Sequence, residues 1–237
     1  MSEVKIGERA KSVLSSFSKL NPSLRVRQDY LFARCDKVTG VFTLPAGEIE
    51  TDVPFVVFSV PMFMSILGMF ENPVIHKDDL VLSIQDGNKK VVYLATDDCA
   101  TPERQTGGEQ LFDSHEKDAM FTCLLDEKVI KDINTAISAI DANAMSFVCA
   151  NGEVSLKVEN ESSENYVEIK LSGSSSEDIQ IDMGDKTLLP SLFSGIYAVQ
   201  CRKCIHNEGE LYLTKFVNQS IKADEGSLFY FAPMSKK

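Results

Sequence analysis

Asp126-Glu127-Lys128-Val129-Ile130-Lys131-Asp132-Ile133-Asn134-Thr135-Ala136-Ile137-Ser138-Ala139-Ile140 is the stretch on which the reading of the chain turns. Val129, Ile130, Ile133, Ala136, Ile137 and Ile140 recur at intervals of three and four, the spacing that lines one face of a helix. Asp126 stands where a side-chain oxygen can accept from an orphan amide of the first turn. Lys128, Lys131, Thr135 and Ser138 fall on the opposite, polar face. A strand over 119–125 precedes this helix, and strands over 144–150, 154–158, 166–171 and 179–183 follow it. A shorter helix near 188–193 ends before Gly195, and strands over 197–203, 210–215 and 228–231 close the chain.

The same order stands earlier in the chain. Residues 4–20 carry Ile6, Ala10, Val13, Leu14, Phe17 and Leu20 at helical spacing, with Lys5, Arg9, Ser12, Ser16 and Lys19 opposite. Asn21-Pro22 stops that helix, because a residue before proline is pushed out of the α region. Alternating runs at 24–35, 40–44 and 53–57 predict strands. A second helix is expected over 61–70, with Pro61 at its first position and Phe63, Ile66, Leu67 and Phe70 on one face. Strands over 80–85 and 91–96 flank Asp86-Gly87-Asn88, a strong hairpin turn. The helices open near Val4 and Pro61, 57 residues apart, and near Glu127 and Asp185, 58 residues apart. A repeat on this scale implies two copies of one α+β domain. Residues 97–118 are polar and turn-rich, so a linker from about 97 separates a domain over 1–112 from one over 113–237.

The chain has 237 residues, 24 Lys plus Arg against 35 Asp plus Glu, and a formal charge of −11. That balance excludes a simple basic nucleic-acid module. It leaves room for basic stripes on an acidic body, because local charge decides local attraction. No apolar run approaches the roughly 18–20 residues of a membrane helix, and Met1-Ser2-Glu3-Val4-Lys5 does not resemble a signal peptide. Six cysteines in such a chain are expected as reduced thiols in a cytoplasm.

Catalytic motifs are weak. Cys201-Arg202-Lys203-Cys204 with His206 has the look of half a zinc site, but a four-ligand site needs two more ligands. On a strand, positions three apart point to opposite faces, which favours a core or surface thiol over a metal or redox site. Gly107-Gly108 lacks the Lys-Ser/Thr of a phosphate loop, and no Gly-x-Ser-x-Gly turn occurs. The expectation is a protein that is not an enzyme and needs no cofactor or metal. Lys5, Arg9 and Lys19 on one helix and Lys128 and Lys131 on its counterpart stand out more. Each stripe alone reads as a solvated face; two on equivalent helices suit loose phosphate contact.

These features together resemble the DNA sliding clamps, specifically the trimeric clamps of T-even-type bacteriophages. The similarity extends over nearly the whole chain and is strongest at Val13-Leu14-Ser15-Ser16-Phe17-Ser18-Lys19-Leu20-Asn21 and Phe63-Met64-Ser65-Ile66-Leu67-Gly68-Met69-Phe70. Leu228-Phe229-Tyr230-Phe231-Ala232-Pro233-Met234 is similar to the aromatic, Ala-Pro-containing terminus of cellular clamps. The resemblance implies two clamp domains per chain, antiparallel sheets outside and helices inside, and a homotrimeric ring around duplex DNA. It implies sequence-independent topological binding, tethering of the replicative DNA polymerase, an ATP-driven clamp loader and a host bacterial cytoplasm. Lys5, Arg9, Lys19, Lys128 and Lys131 would face the DNA, with only Lys186 to add from the fourth helix and no Lys or Arg from the second. Subunits would join by pairing 89–96 with 166–172, through Val91, Tyr93, Leu94, Tyr166, Val167 and Ile169. A partner-peptide pocket would use Leu111, Phe112, Phe229, Tyr230, Phe231 and Pro233. The plainer alternative for the last segment buries Phe229 and Phe231 in an edge strand and turns Tyr230 outward. Two other readings stand beside the clamp: a structural or virion β-rich protein with no DNA role, and an enzyme built on Cys201, Cys204 and His206.

Overall fold

The structure is a computed structural model that describes residues 2–35, 38–96, 104, 106–115, 119–184, 188–206 and 209–237. The chain divides into two compact units, one of Met1–Cys35, Gly40–Arg104 and Lys222–Leu228, the other of Asp36–Thr39, Gln105–Ile221 and Phe229–Lys237.

The first unit runs β1 (Ser2–Ile6), α1 (Glu8–Phe17), β2 (Leu24–Val26), β3 (Tyr30–Arg34), β4 (Thr39–Thr43), β5 (Ile49–Glu50), β6 (Phe55–Val57), α2 (Val60–Leu67), β7 (Val74–Asp78), β8 (Val81–Asp86) and β9 (Lys89–Leu94). Its strands order as β5-β1-β7-β8-β9 and β4-β3-β2-β6. A two-bond bridge between Val56 and Thr96 links β6 to the chain beyond β9. The second unit runs α3 (Gly107–Ser114), β10 (Ala119–Leu125), α4 (Glu127–Ala139), β11 (Ala144–Ala150), β12 (Glu153–Asn160), β13 (Asn165–Ser175), β14 (Ile179–Asp182), α5 (Leu188–Ser191), β15 (Tyr197–His206), β16 (Gly209–Asn218) and β17 (Ser227–Lys236, from Phe229 onward). Its order is β14-β11-β12-β13-β10-β15-β16-β17, and β14 also pairs with β17, closing the sheet on itself.

The two units repeat one plan. β1 pairs β7 as β10 pairs β15, β2 pairs β3 and β6 as β11 pairs β12 and β14, and β7-β8-β9 matches β15-β16-β17. In the second unit a single eleven-residue strand, β13, pairs β12 over Asn165–Leu171 and then β10 over Ser172–Ser175. The first unit divides that task between β4 and β5. Gly173 marks the change of partner: a Cβ there would stand 2.7 Å from the Cα of Cys123, so only glycine admits so close a neighbour.

Local chemistry sets the helices. Asp126 Oδ1 accepts from Val129 N at 2.8 Å and caps α4, while Ser59 and Pro61 open α2. Within its unit α1 packs beside α2, and α4 beside α5. A tyrosine from the last strand of each plan pins the second helix. Tyr93 OH accepts from Ser59 N at 3.1 Å, just before α2. Tyr230 OH accepts from Phe193 N at 3.0 Å, just after α5. Both rings are buried, Tyr93 against Phe63 and Tyr230 against Tyr197.

Several sequence expectations change. The helix expected over 4–20 is strand β1 followed by α1. Val4 and Ile6 are buried while Glu3 and Lys5 are exposed, an alternation that pairs with β7 and β5. The run 24–35 is two strands, β2 and β3, and β7 fills a segment left without an element. The second helix ends at Leu67, and the last strand extends to Lys236. The fourth helix has four residues; its expected opening at Asp185, together with Lys186, lies outside the described residues. So do 97–103, 105 and 116–118 of the expected linker. Within that segment, α3 is an element the lack of periodicity did not announce.

Candidate nucleic-acid interface and partner surfaces

On α1 the apolar side, Ala10, Val13, Leu14 and Phe17, is buried, and Glu8, Ser12 and Ser15 are exposed. The cations around it are largely engaged. Lys5 belongs to β1 and bonds Glu50 at 2.7 Å, a contact that holds its ammonium above the ordinary range. Arg9 donates to the Glu225 carbonyl and pairs with its carboxylate, each at 3.2 Å. Lys11 pairs with Glu8 at 2.6 Å, and Lys19 is exposed in the turn past the helix. The five expected DNA-facing cations therefore do not form two matched helical stripes.

On α4 the stripe is intact. Lys128, Lys131, Thr135 and Ser138 are all exposed along one side of the helix. Thr135 Oγ1 donates to the Lys131 carbonyl and Ser138 Oγ to the Asn134 carbonyl, so both hydroxyls are satisfied within the helix. Glu127 and Asp132 are exposed beside the lysines and moderate the positive field. Because α5 is short, α4 and the segment after α5 leave a cleft of about 800 Å³ lined by Ile130, Lys131, Leu192 and Phe193.

Each unit offers one strand edge with exposed apolar side chains. β9 ends its sheet, pairing only β8 along Lys89–Leu94 among the described residues. There Val92 is 58% and Leu94 70% exposed, and Val91 is half-buried. In the second unit the Asn165–Leu171 half of β13 pairs only β12 among the described residues. Tyr166 is 60% exposed beside half-buried Val167 and Ile169, with the Lys157 ammonium 5.0 Å from its ring. Tyr93 differs from its expected place at a subunit joint: its side chain points into the first unit's core.

The expected peptide pocket is differently arranged. Even positions of β17, including Tyr230, point into the second unit, so Tyr230 is neither outward nor part of a pocket. Phe229, Phe231 and Pro233 share the other face, where α3 lies on β15, β16 and β17. Phe112 of α3 is buried there with Cys204, Leu213 and Phe231, and Leu111 is half-buried beside them. Cys204 thus lies beneath α3, whereas Cys201 is buried on the inner face with Cys123, where burial pushes both thiols up to about 12. Cys201 and Cys204 point to opposite faces of β15 and do not converge on one ion; the His206 side chain lies outside the described residues.

No protein-family model matches the chain. No curated protein matches it. Solved structures do match. PCNA from Thermococcus kodakaraensis is 14% identical, with 99% of this chain and 99% of that one covered and a TM-score of 0.62. PCNA from A. fulgidus, solved with the C-terminal region of FEN-1 bound, is 13% identical over 99% and 97%, with a TM-score of 0.60. The H. pylori beta clamp in complex with 5-chloroisatin is 11% identical, with all of this chain and 64% of that one covered and a TM-score of 0.61. The chain has the α+β fold of the DNA sliding clamps, with two clamp domains. No helix among the described residues is long and apolar enough to cross a membrane.

Proposed function

We propose that the protein is a sliding clamp of the T-even phage type, a non-enzymatic homotrimeric ring that encircles duplex DNA and tethers a DNA polymerase in the host bacterial cytoplasm. A clamp loader would open and place it. The observation that carries this reading is the pair of strand edges left unpaired among the described residues, β9 in one unit and the first half of β13 in the other, each with exposed apolar side chains. Such edges are rarely left open in a soluble chain. Pairing one copy's β9 with the next copy's β13 is a head-to-tail contact, which forms a ring when the rotation closes.

Within such a ring Lys128 and Lys131 would supply the DNA contacts, and Lys5, Arg9 and Lys11 would add little because Glu50, Glu225 and Glu8 already compensate their charges. Weak, exchangeable contacts suit a protein that holds DNA by encircling it. Sedimentation tests the assembly: a species of about 79 kDa, three times the 26.3 kDa chain, is expected. The tether is tested by loading onto nicked circular DNA with a loader, then linearising it. Retention on the circle and loss from the open ends supports the reading. A monomer at high concentration, or equal retention on both forms, would leave a β-rich structural protein as the better account.

A further inference from the structure

We infer that the cleft between α4 and the segment after α5 is a nucleotide site, which takes one unpaired nucleotide with its base against Phe193 and its phosphate at Lys131. This goes beyond the encircling reading, which asks only for loose contact with the phosphates of a duplex. A free nucleotide and a nucleotide turned out of an enclosed strand offer the same chemistry, and the test separates the two sources.

One wall of the cleft is fixed by the protein itself. The Phe193 amide donates to Tyr230 OH at 3.0 Å, and the Phe193 carbonyl accepts from Tyr197 OH at 2.7 Å. Both tyrosines are buried, with ring centroids 6.1 Å apart. Asn218, also buried, donates to the Ser194 carbonyl at 3.1 Å. Gly195 has a φ of +136°, and a Cβ there would stand 2.7 Å from the Asn218 side chain. The backbone over 193–195 is thus held by side chains of three neighbouring strands, β15, β16 and β17. The Phe193 side chain is nevertheless only half-buried, and it lines the cleft. An aromatic ring on a pinned backbone offers a stacking surface at little ordering cost.

The other wall comes from α4. Half-buried Ile130 and exposed Ala139 give it an apolar part, so a flat ring seated between α4 and Phe193 loses water from both faces. Thr135 Oγ1 donates to the Lys131 carbonyl at 2.9 Å and Ser138 Oγ to the Asn134 carbonyl at 3.1 Å. With their protons engaged in the helix, these hydroxyls offer the cleft only lone pairs. Acceptors of that kind suit the amino and ring N–H groups on the edge of a base. Lys131 is the cation among the lining residues, and Glu127, one turn before it, confines an anion to the lysine side and keeps binding weak. The volume of about 800 Å³ lies within the range of small-ligand sites, about 300–1,000 Å³. A fatty chain brings no edge donors, and inorganic phosphate leaves Phe193 in water. A base with its phosphate uses the ring, the acceptors and the lysine together.

The test titrates the full chain, without DNA, with deoxyadenosine 5′-monophosphate and reads saturation transfer to the base protons by NMR. Wild-type protein should bind it saturably. Phe193→Leu, which keeps apolar bulk and removes the ring face, should weaken binding about fivefold or more. Lys131→Met should weaken it about threefold or more, and should bind phosphate-free deoxyadenosine as the wild type does. Lys131 is exposed, so its variant decides the matter should Phe193→Leu fail to fold by thermal melting. No saturable binding, or no weakening in Lys131→Met or in a folded Phe193→Leu chain, overturns the inference. So does equally tight binding of 1-naphthyl phosphate, which is flat and anionic but has no base-edge donors. The source is read by loading the protein onto circular DNA carrying 2-aminopurine in a one-nucleotide bulge or in continuous duplex. An emission change larger at the bulge assigns the site to the enclosed strand. Equal changes or none, with nucleotide bound, assign it to free nucleotides. Retention on circular DNA without nucleotide binding would sink this inference and leave the clamp reading standing; nucleotide binding without retention would do the reverse.

Discussion

Arg9 and Glu225 are joined by two contacts across 216 positions of sequence: Nη1 donates to the Glu225 carbonyl and Nη2 pairs with its carboxylate, each at 3.2 Å. The pair fastens the start of α1 to the turn at Ala223–Glu225, a late segment that completes the first unit. Arg9, and then the Lys222 amide, hold the Glu225 carboxyl below the ordinary range. A carboxyl that binds its proton less tightly when folded stabilises the fold above its unfolded value, near 4.3, and loses that contribution as pH falls through the lower folded value. Glu225→Gln should therefore unfold at lower denaturant than wild type at pH 7, and the gap should shrink toward pH 3. Denaturant midpoints across that range check it. A gap that stays constant with pH would mean that the carboxylate charge is not what the turn depends on.

Gly173→Ala should destabilise the second unit by about 1–3 kcal/mol, the range for a side chain forced into packed space. The added methyl would meet Cys123 and the Thr122 carbonyl where β13 changes partner. Both neighbours are strand backbone, so relaxation requires moving β10. Urea unfolding measures the loss, and an unchanged midpoint would show that the strand crossing has slack.

Leu94→Arg should convert trimer to monomer and leave the melting of the isolated chain nearly unchanged. Leu94 is 70% exposed at the end of β9, so the substitution removes no internal packing. It places a charge in the proposed joint, where a desolvated cation without a partner is costly. Sedimentation at several concentrations separates the outcomes. A trimer that persists would move the joint away from β9.

Reversing Lys128 and Lys131 to Glu should keep α4 folded, since pair effects on an exposed helix face are about 0.2–0.5 kcal/mol. Retention on circular DNA should fall, and fall most at low salt, where repulsion is least screened. Retention unchanged at every ionic strength would make these lysines ordinary surface residues.

What was legible in the sequence is what local periodicity encodes. The apolar spacing of 126–140, the cap at Asp126, the turn at Asp86-Gly87-Asn88 and the alternation through β11 and β12 each depend on neighbours within a few positions, and each appears in the structure. The repeated order of helices and strands follows from those signals. The site was less legible. Val4 and Ile6 fit a period of two as well as a helix, and only pairing with β5 and β7 makes them a strand. Whether Tyr93 and Tyr230 face the core or solvent depends on which side of their strands the second helix of each unit covers. Arg9 and Lys5 carry the same formal charge in sequence whether or not Glu225 and Glu50, 216 and 45 residues away, lie against them. The polar segment holding α3 has too few apolar residues to announce a helix. Phe112 becomes a core residue only because Cys204, Leu213 and Phe231 meet it on one sheet face. Local spacing is a property of the chain, whereas the partner of a charge or a ring is chosen when distant strands come into register.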